Sequence, residues 1–269
     1  MNDRKTAGFF GATTALLLAS GAASGQVVDV TGGATLTESM LDSGSFSSPG
    51  GTVSFSLTGD TTFNVGAGGM IGVVGDGGPY PGIGYDFNGS TVNLLDGGTF
   101  LSSSAVDSIV SNVTLNVLAG GVVGRSFEAL AGSVVNVQGG EVVLGFAAFD
   151  GATVNISGGT VGDYFSAMSG STVNLLVSEL TIGGESIEMA GGESMEISAR
   201  DGARLEAVLA DGSVLDFDLY ASYDNTQSSD LFAADASLNV TFVETSMPTP
   251  GSAALIGLAG LIGSRRRRG

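Results

Sequence analysis

Residues 90–98 read STVNLLDGG. The phrase returns as VTLNVLAGG at 113–121, SVVNVQGG at 133–140 and ATVNISGG at 152–159. A shorter echo, STVNLLVSE, lies at 171–179, and an earlier copy, TTFNVGAGG, at 61–69. The asparagines set the register: Asn64, Asn93, Asn116, Asn136, Asn155 and Asn174, separated by 29, 23, 20, 19 and 19 residues. A self-similar unit near twenty residues, made of short apolar runs punctuated by glycine, is the signature of a solenoid.

The spacing inside the unit selects the kind of solenoid. Val113, Leu115 and Val117 alternate with Thr114 and Asn116, the period-two pattern of a strand with one buried face. Gly-Gly follows three or four residues after each Asn in the full copies. Four residues before each Asn stands a residue tolerant of positive φ: Asp60, Gly89, Asn112, Gly132, Gly151 or Gly170. Phe127, Phe146 and Phe165 form a second ladder with a spacing of 19, and Ala129, Ala148 and Ala167 a third. The expectation is an all-β chain: a right-handed parallel β-helix with coils of 19–20 residues. Val92, Leu115, Val135, Val154 and Val173 would fill one internal column. Leu94, Val117, Val137, Ile156 and Leu175 would fill the next.

The chain divides into 1–25, 26–185, 186–246 and 247–269. Residues 1–25 read as an export signal helix: Arg4 and Lys5, an apolar run with Phe9, Phe10, Leu16, Leu17 and Leu18, then small residues. Residues 26–185 are the β-helix, with 27–60 as its first coils and the cover of its N-terminal edge. Residues 186–246 read as degenerate coils or a β cap, with Asp211-Gly212 as a turn between two strands. Ser237–Val243 is the last strand.

Residues 247–269 begin with Met247-Pro248-Thr249-Pro250 and continue into a short apolar run, 253–263. They end in Arg265, Arg266, Arg267 and Arg268. The apolar run is too short for a spanning helix of about 20 residues. A proline motif, a short Gly/Ala-rich hydrophobic helix and a basic terminus together resemble the PEP-CTERM sorting signal, with Pro-Thr-Pro in place of Pro-Glu-Pro, as in planctomycete-like variants. The resemblance covers residues 248–268. It implies an exosortase-type sorting protease as partner and transient insertion in the inner membrane through the C-terminal helix. It also implies delivery to the cell surface, in association with exopolysaccharide.

Composition narrows the chemistry. The chain has no Cys, His or Trp, which removes disulfides, thiol catalysis and histidine-based metal or acid–base sites. Residues 26–246 carry three basic and 26 acidic side chains, a net charge of −23, which repels nucleic acid. A polysaccharide lyase needs a basic or phenolic proton acceptor, and a glycosidase needs convergent carboxylates. The solenoid offers only Arg125 among basic groups. Its nearest carboxylate pairings by position are Glu141 with Asp163 and Glu128 with Asp150. No catalytic site and no cofactor is called for. Calcium is the one ion so acidic a surface would attract, with the GGTVGD stretch at 158–163 and the pair Asp216 and Asp218 as places to look.

The insertion at 75–90, with Asp76, Tyr80, Tyr85 and Asp86, mixes aromatics and carboxylates as a sugar-binding loop does, or covers the coil edge with its tyrosines. The outward T-x-N pairs are Thr62/Asn64, Thr91/Asn93, Thr114/Asn116, Thr153/Asn155 and Thr172/Asn174, interrupted at Val134/Asn136. Stacked amides can hydrogen-bond along such a column, and the same flat face could meet a repetitive ligand: a glycan, ice or another copy. The functional expectation is an exported, surface-sorted, non-enzymatic structural or adhesive protein of the envelope or exopolysaccharide matrix. A glycan-binding module or a carbohydrate-active β-helix enzyme is the alternative.

Overall fold

The computed structural model describes residues 25–49, 51–72, 85–101, 108–222 and 230–243. The signal segment, the sorting segment with Pro248, Pro250 and Arg265 to Arg268, and Asp76 and Tyr80 of the insertion lie outside them. No helix among the described residues is long and apolar enough to cross a membrane.

The described chain is almost entirely strand, arranged in long parallel ladders. Each repeat contributes three strand segments in a fixed cycle. The first ladder runs Val27–Val30, Thr62–Val65, Thr91–Leu94, Thr114–Val117, then residues 134–137, 153–156 and 172–175, each paired in parallel with the next. The pairing places Asn64 on Asn93, Asn93 on Asn116, and so on without a slip. The second ladder stacks Thr35–Thr37, Met70–Gly72, Thr99–Leu101, Val122–Val123 and residues 141–142. The third, a separate sheet, stacks Tyr85–Asp86, Ser108–Ser111, Phe127–Ala129, Phe146–Ala148, Ser166–Ala167 and Leu231–Phe232. The strands Val134–Val142 and Thr153–Val161 run through both of the first two ladders, so those two belong to one sheet.

The alternation read in the sequence gives the inside and the outside. Val92, Leu115, Val135, Val154 and Val173 are fully buried, and so are Leu94, Val117, Val137, Ile156 and Leu175. A file of aromatic rings runs along the same core. Phe87, Phe100, Phe127, Phe146 and Phe165 follow one another at centroid distances of 6.3, 5.2, 5.6 and 5.3 Å, largely edge to face. Each such pair adds about 0.5–1.5 kcal/mol beyond area burial. Ser108 stands where the 19-residue period would put another Phe, opposite Phe127. Phe100, from the second ladder, supplies the missing ring.

The Gly-Gly pairs answer to the stacking distance. A Cβ on Gly69 would lie 1.8 Å from the carbonyl oxygen of Val30, and one on Gly98 1.9 Å from that of Val65. The second glycine of the pair is thus the point where one repeat touches the backbone of the repeat before it. Gly33, in the first repeat, has no neighbour within 4 Å, because no earlier repeat lies against it. The expected left-handed residues are Gly89, Asn112, Gly132, Gly151 and Gly170, all at φ between 49° and 81°; Asp60 is not among them.

Both ends of the stack depart from the repeat. After Thr35–Thr37 the expected strand gives way to a short helix, Glu38–Ser43, which stops at Gly44 in the left-handed region. ESMLDS contains no β-branched residue, and Glu38 and Leu41 fall one helical turn apart, with Leu41 buried. An antiparallel hairpin, Ser45–Ser48 with Gly51–Ser54, then replaces the third-ladder strand. At the other end the strand Thr172–Ile182 runs past its parallel partner into antiparallel pairings with Glu185–Ile187 and Asp201–Leu209. Asp201–Leu209 in turn pairs with Val214–Tyr220. The chain returns to the third ladder at Leu231–Phe232 and to the first at Ser237–Phe242.

Two substitutions test the stacking distance. Gly98→Ala forces a Cβ into a carbonyl and should cost roughly 3 kcal/mol, the upper range for overpacking. Gly33→Ala meets no neighbour and carries only the left-handed backbone penalty of about 1 kcal/mol. Denaturant titration of the two variants is expected to separate them in that order. Equal losses would refute the contact.

Candidate functional site

The outward face of the first ladder is the most regular feature of the molecule. Asn93 Nδ2 donates to Asn64 Oδ1 at 2.9 Å, and Asn116 to Asn93 at 2.7 Å. The series continues with Asn136 to Asn116 at 2.8 Å, Asn155 to Asn136 at 2.7 Å and Asn174 to Asn155 at 2.8 Å. It has two further members that the repeat period did not reveal. Asn239, from the strand Ser237–Phe242, donates to Asn174 at 3.0 Å. At the opposite end Asn64 donates to the carboxylate of Asp29 at 3.1 Å.

Asp29 gives the ladder its direction. An ionised carboxylate only accepts, so Asn64 must turn its amide nitrogen toward it and present its oxygen to Asn93. Every later amide follows the same sense. The first bond is charge-assisted, and the neutral ones contribute on the order of 1 kcal/mol each. The asparagines are half-buried, and their amides are held by neighbours above and below.

The threonines predicted beside them also align. Thr62, Thr91 and Thr114 are register partners, Thr114 meets Val134, and Thr153 meets Thr172, which meets Ser237. The structure therefore brings Thr91, Asn93, Thr114, Asn116, Thr153, Asn155, Thr172 and Asn174 onto one face. The signal for Asn239 was present in SLNV at 237–240, which echoes TLNV at 114–117. The 65 residues between Asn174 and Asn239 hid it from a search by period.

The carboxylate pairings expected by position do not form on shared rungs. Glu141 stands opposite Val122 and Thr160, and the Asp163 carbonyl instead accepts from the amide of Gly145. Glu128 stands between Ile109 and Ala147, away from Asp150. Turns of unequal length between ladders shift these acids out of line. Asp216 and Asp218 share the guanidinium of Arg204, with the Asp218 contact at 3.2 Å. In the GGTVGD stretch, Gly159 N–H donates to Asp211 at 2.9 Å. Among the described residues no group of three or more acidic side chains is arranged to hold a metal ion.

Asp230 is the acid an enzymatic reading would turn to, since it is buried and lies near Asp218 and Asp163. Burial raises its pKa, the amides of Asp218 and Phe165 pull it back, and the neighbouring carboxylates raise it again. Its two oxygens accept from Phe165 N at 3.0 Å and Asp218 N at 3.2 Å, which fixes it as a joint between the third ladder and the antiparallel hairpin. Arg200 serves the same junction. Its guanidinium donates to the carbonyls of Ile197, Ala199, Ala233 and Ala236 and lies 5.9 Å from the Phe232 ring centre.

Tyr85, from the insertion, covers the edge of the stack. Its ring meets Phe87 edge-on at 5.2 Å, and its hydroxyl donates to Asp42 at 3.1 Å. Burial, then that bond and the carboxylates of Asp42, Glu38 and Asp86, push its pKa well up. A cavity of about 440 Å³ opens beside it, lined by Leu41, Asp42, Phe55, Ser56 and Leu57. Asp86 accepts from the amide of Asn88 and from Asn112 Nδ2, which makes it a turn cap.

Comparison of the chain with family models, with curated proteins and with solved structures finds no match.

The ladder's polarity and the capping acid each give a test. In Asn136→Asp a carboxylate faces the Asn116 oxygen with no proton to donate, and the loss should be about 2 kcal/mol. Asp29→Asn keeps an acceptor for Asn64 and should cost well under 1 kcal/mol. Thermal melts of the two variants compare them directly. For Asp211, burial pushes the pKa up, but hydrogen bonds from Ser213 Oγ, Ser213 N and Gly159 N outweigh it and hold the group below the usual carboxylate range. Its contribution is present above the ordinary value of about 4 and is lost as pH falls through the depressed native value. The melting deficit of Asp211→Ala should be largest at neutral pH and vanish in strong acid. A deficit independent of pH would show that the carboxylate charge plays no part.

Proposed function

We propose that this chain is an exported, surface-sorted structural protein of the cell envelope or exopolysaccharide matrix, with a right-handed parallel β-helix as its body. The three-segment cycle supports that architecture, since each repeat visits the three ladders in one order around a common apolar cluster. A right-handed path is the one favoured by strand twist in parallel crossovers.

The observation that carries the functional reading is the use made of the recurrent residues. The asparagine, the glycine pair and the phenylalanine of each repeat all make contact with their counterparts or neighbours in the adjacent repeat. A chain whose regular features serve stacking is a scaffold. The terminal segments provide the address: export by residues 1–25, and retention and transfer by the PEP-CTERM-like segment at 248–268, with an exosortase-type protease as partner. The competing reading, a carbohydrate-active enzyme, requires convergent carboxylates. The acids nearest to that role, Asp230 among them, hold backbone amides instead.

Intact-mass measurement of the surface form from its native host is expected to show loss of residues up to about Gly25 and of Arg265 to Arg268. Retention of the arginine tail on the surface form would overturn the sorting reading. Release of reducing ends from a polysaccharide panel would favour the enzyme.

A further inference from the structure

The ladder face is neutral on a strongly acidic molecule. From Thr62 to Asn239 the outward positions of the seven stacked strands hold threonine, asparagine, one valine and one serine. No charged side chain stands among them, although residues 26–246 carry a net −23. Asp29 marks the end of the row.

The hydrogen-bonding capacity of this face is only partly used. An amide offers two N–H donors and two acceptor lone pairs, and the ladder engages one of each. Each asparagine inside the row therefore keeps one donor and one lone pair. The hydroxyls of Thr91, Thr114, Thr153 and Thr172 have no hydrogen-bond partner among the described residues. Each rung thus presents a hydroxyl and a half-used amide at intervals of ~4.8 Å, over a row of six steps spanning roughly 29 Å. The amides are already fixed by their ladder bonds, so a ligand need not order them on binding.

We infer that this face binds a neutral, extended, β-linked polysaccharide lying along the ladder. The row is one-dimensional and periodic, which suits a polymer over a compact ligand. Its groups both donate and accept, as sugar hydroxyls do, and the rise of an extended β-linked pyranose chain is close to the rung spacing. An anionic polymer would gain no ion pair here and would meet the surrounding acids. The inference goes beyond the scaffold reading by naming a ligand. It does not depend on how the chain reaches the surface, so the mass measurement and the binding measurement can fail separately.

The test is native affinity electrophoresis of the full-length chain, in mild detergent, through gels containing hydroxyethylcellulose or polygalacturonate. Thr114→Val with Thr153→Val removes two hydroxyls while keeping shape; Val134 already occupies the equivalent position. Thr114→Ser with Thr153→Ser retains the hydroxyls. The neutral polymer should retard the wild type and the serine variant. The valine variant, at an unchanged melting temperature, should need about tenfold more polymer for the same retardation. Polygalacturonate should retard none of them. Absence of retardation by the neutral polymer, equal retardation of the valine variant, or retardation by polygalacturonate alone would overturn the proposal. So would a dimer seen by light scattering without polymer and lost in the valine variant, because the face would then belong to a second copy.

Discussion

In-register parallel pairing requires each repeat to place its residues on the same residues of its neighbour, one strand spacing away. At ~4.8 Å that constraint selects side chains able to stack on themselves. Asparagine can, because its amide carries a donor and an acceptor on opposite sides. Phenylalanine can, by alternating ring edge and face, as Phe127, Phe146 and Phe165 do. Valine and threonine fit as branched side chains on a pleated surface. Charged groups cannot: two like charges at that spacing repel by about 1 kcal/mol even in water. The acids of this very acidic chain are accordingly placed off the ladder rungs or opposite neutral residues, and several hold turn amides. Asp86 and Asp211 do so directly.

A stack of this kind has two ends, and each needs its own chemistry. The amide ladder ends on Asp29, a group that accepts a hydrogen bond and cannot pass one on. The helix and hairpin between Glu38 and Ser54 take the place of a third-ladder strand in the first repeat. At the far end a long antiparallel excursion leaves the first ladder after Val177 and comes back at Leu231. Two ionisable side chains hold that return in place. Arg200 gathers four backbone carbonyls, and Asp230 gathers two backbone amides. Buried backbone groups that have left a regular ladder require partners, and these side chains supply them.

The same constraint separates the ladder face from the rest of the surface. Stacking alone accounts for the asparagine bonds, yet it leaves the threonine hydroxyls and half of each amide facing outward. Scaffold and binding surface are therefore two aspects of one arrangement, since the bonds that hold the rungs together also fix the outward-facing groups.

The repeat period and the two-residue alternation were enough to place the core columns, the Asn register and the left-handed positions from Gly89 to Gly170, because each depends only on local spacing. They were enough, too, to pick out the T-x-N face. Composition fixed the absence of thiol and imidazole chemistry. What the period could not reach was decided by the tertiary structure. Asn239 joins the ladder only because a 65-residue excursion brings its strand back beside Asn174. Asp29 is its terminus only because Val27–Val30 pairs with Thr62–Val65. Phe100 fills the gap left by Ser108 from a different ladder. The acids that looked paired by position fell out of line, because turns of unequal length shift their register. Local spacing determines what each rung contains, and long-range pairing, with no periodic trace in the sequence, determines which rungs are neighbours and where the row begins and ends.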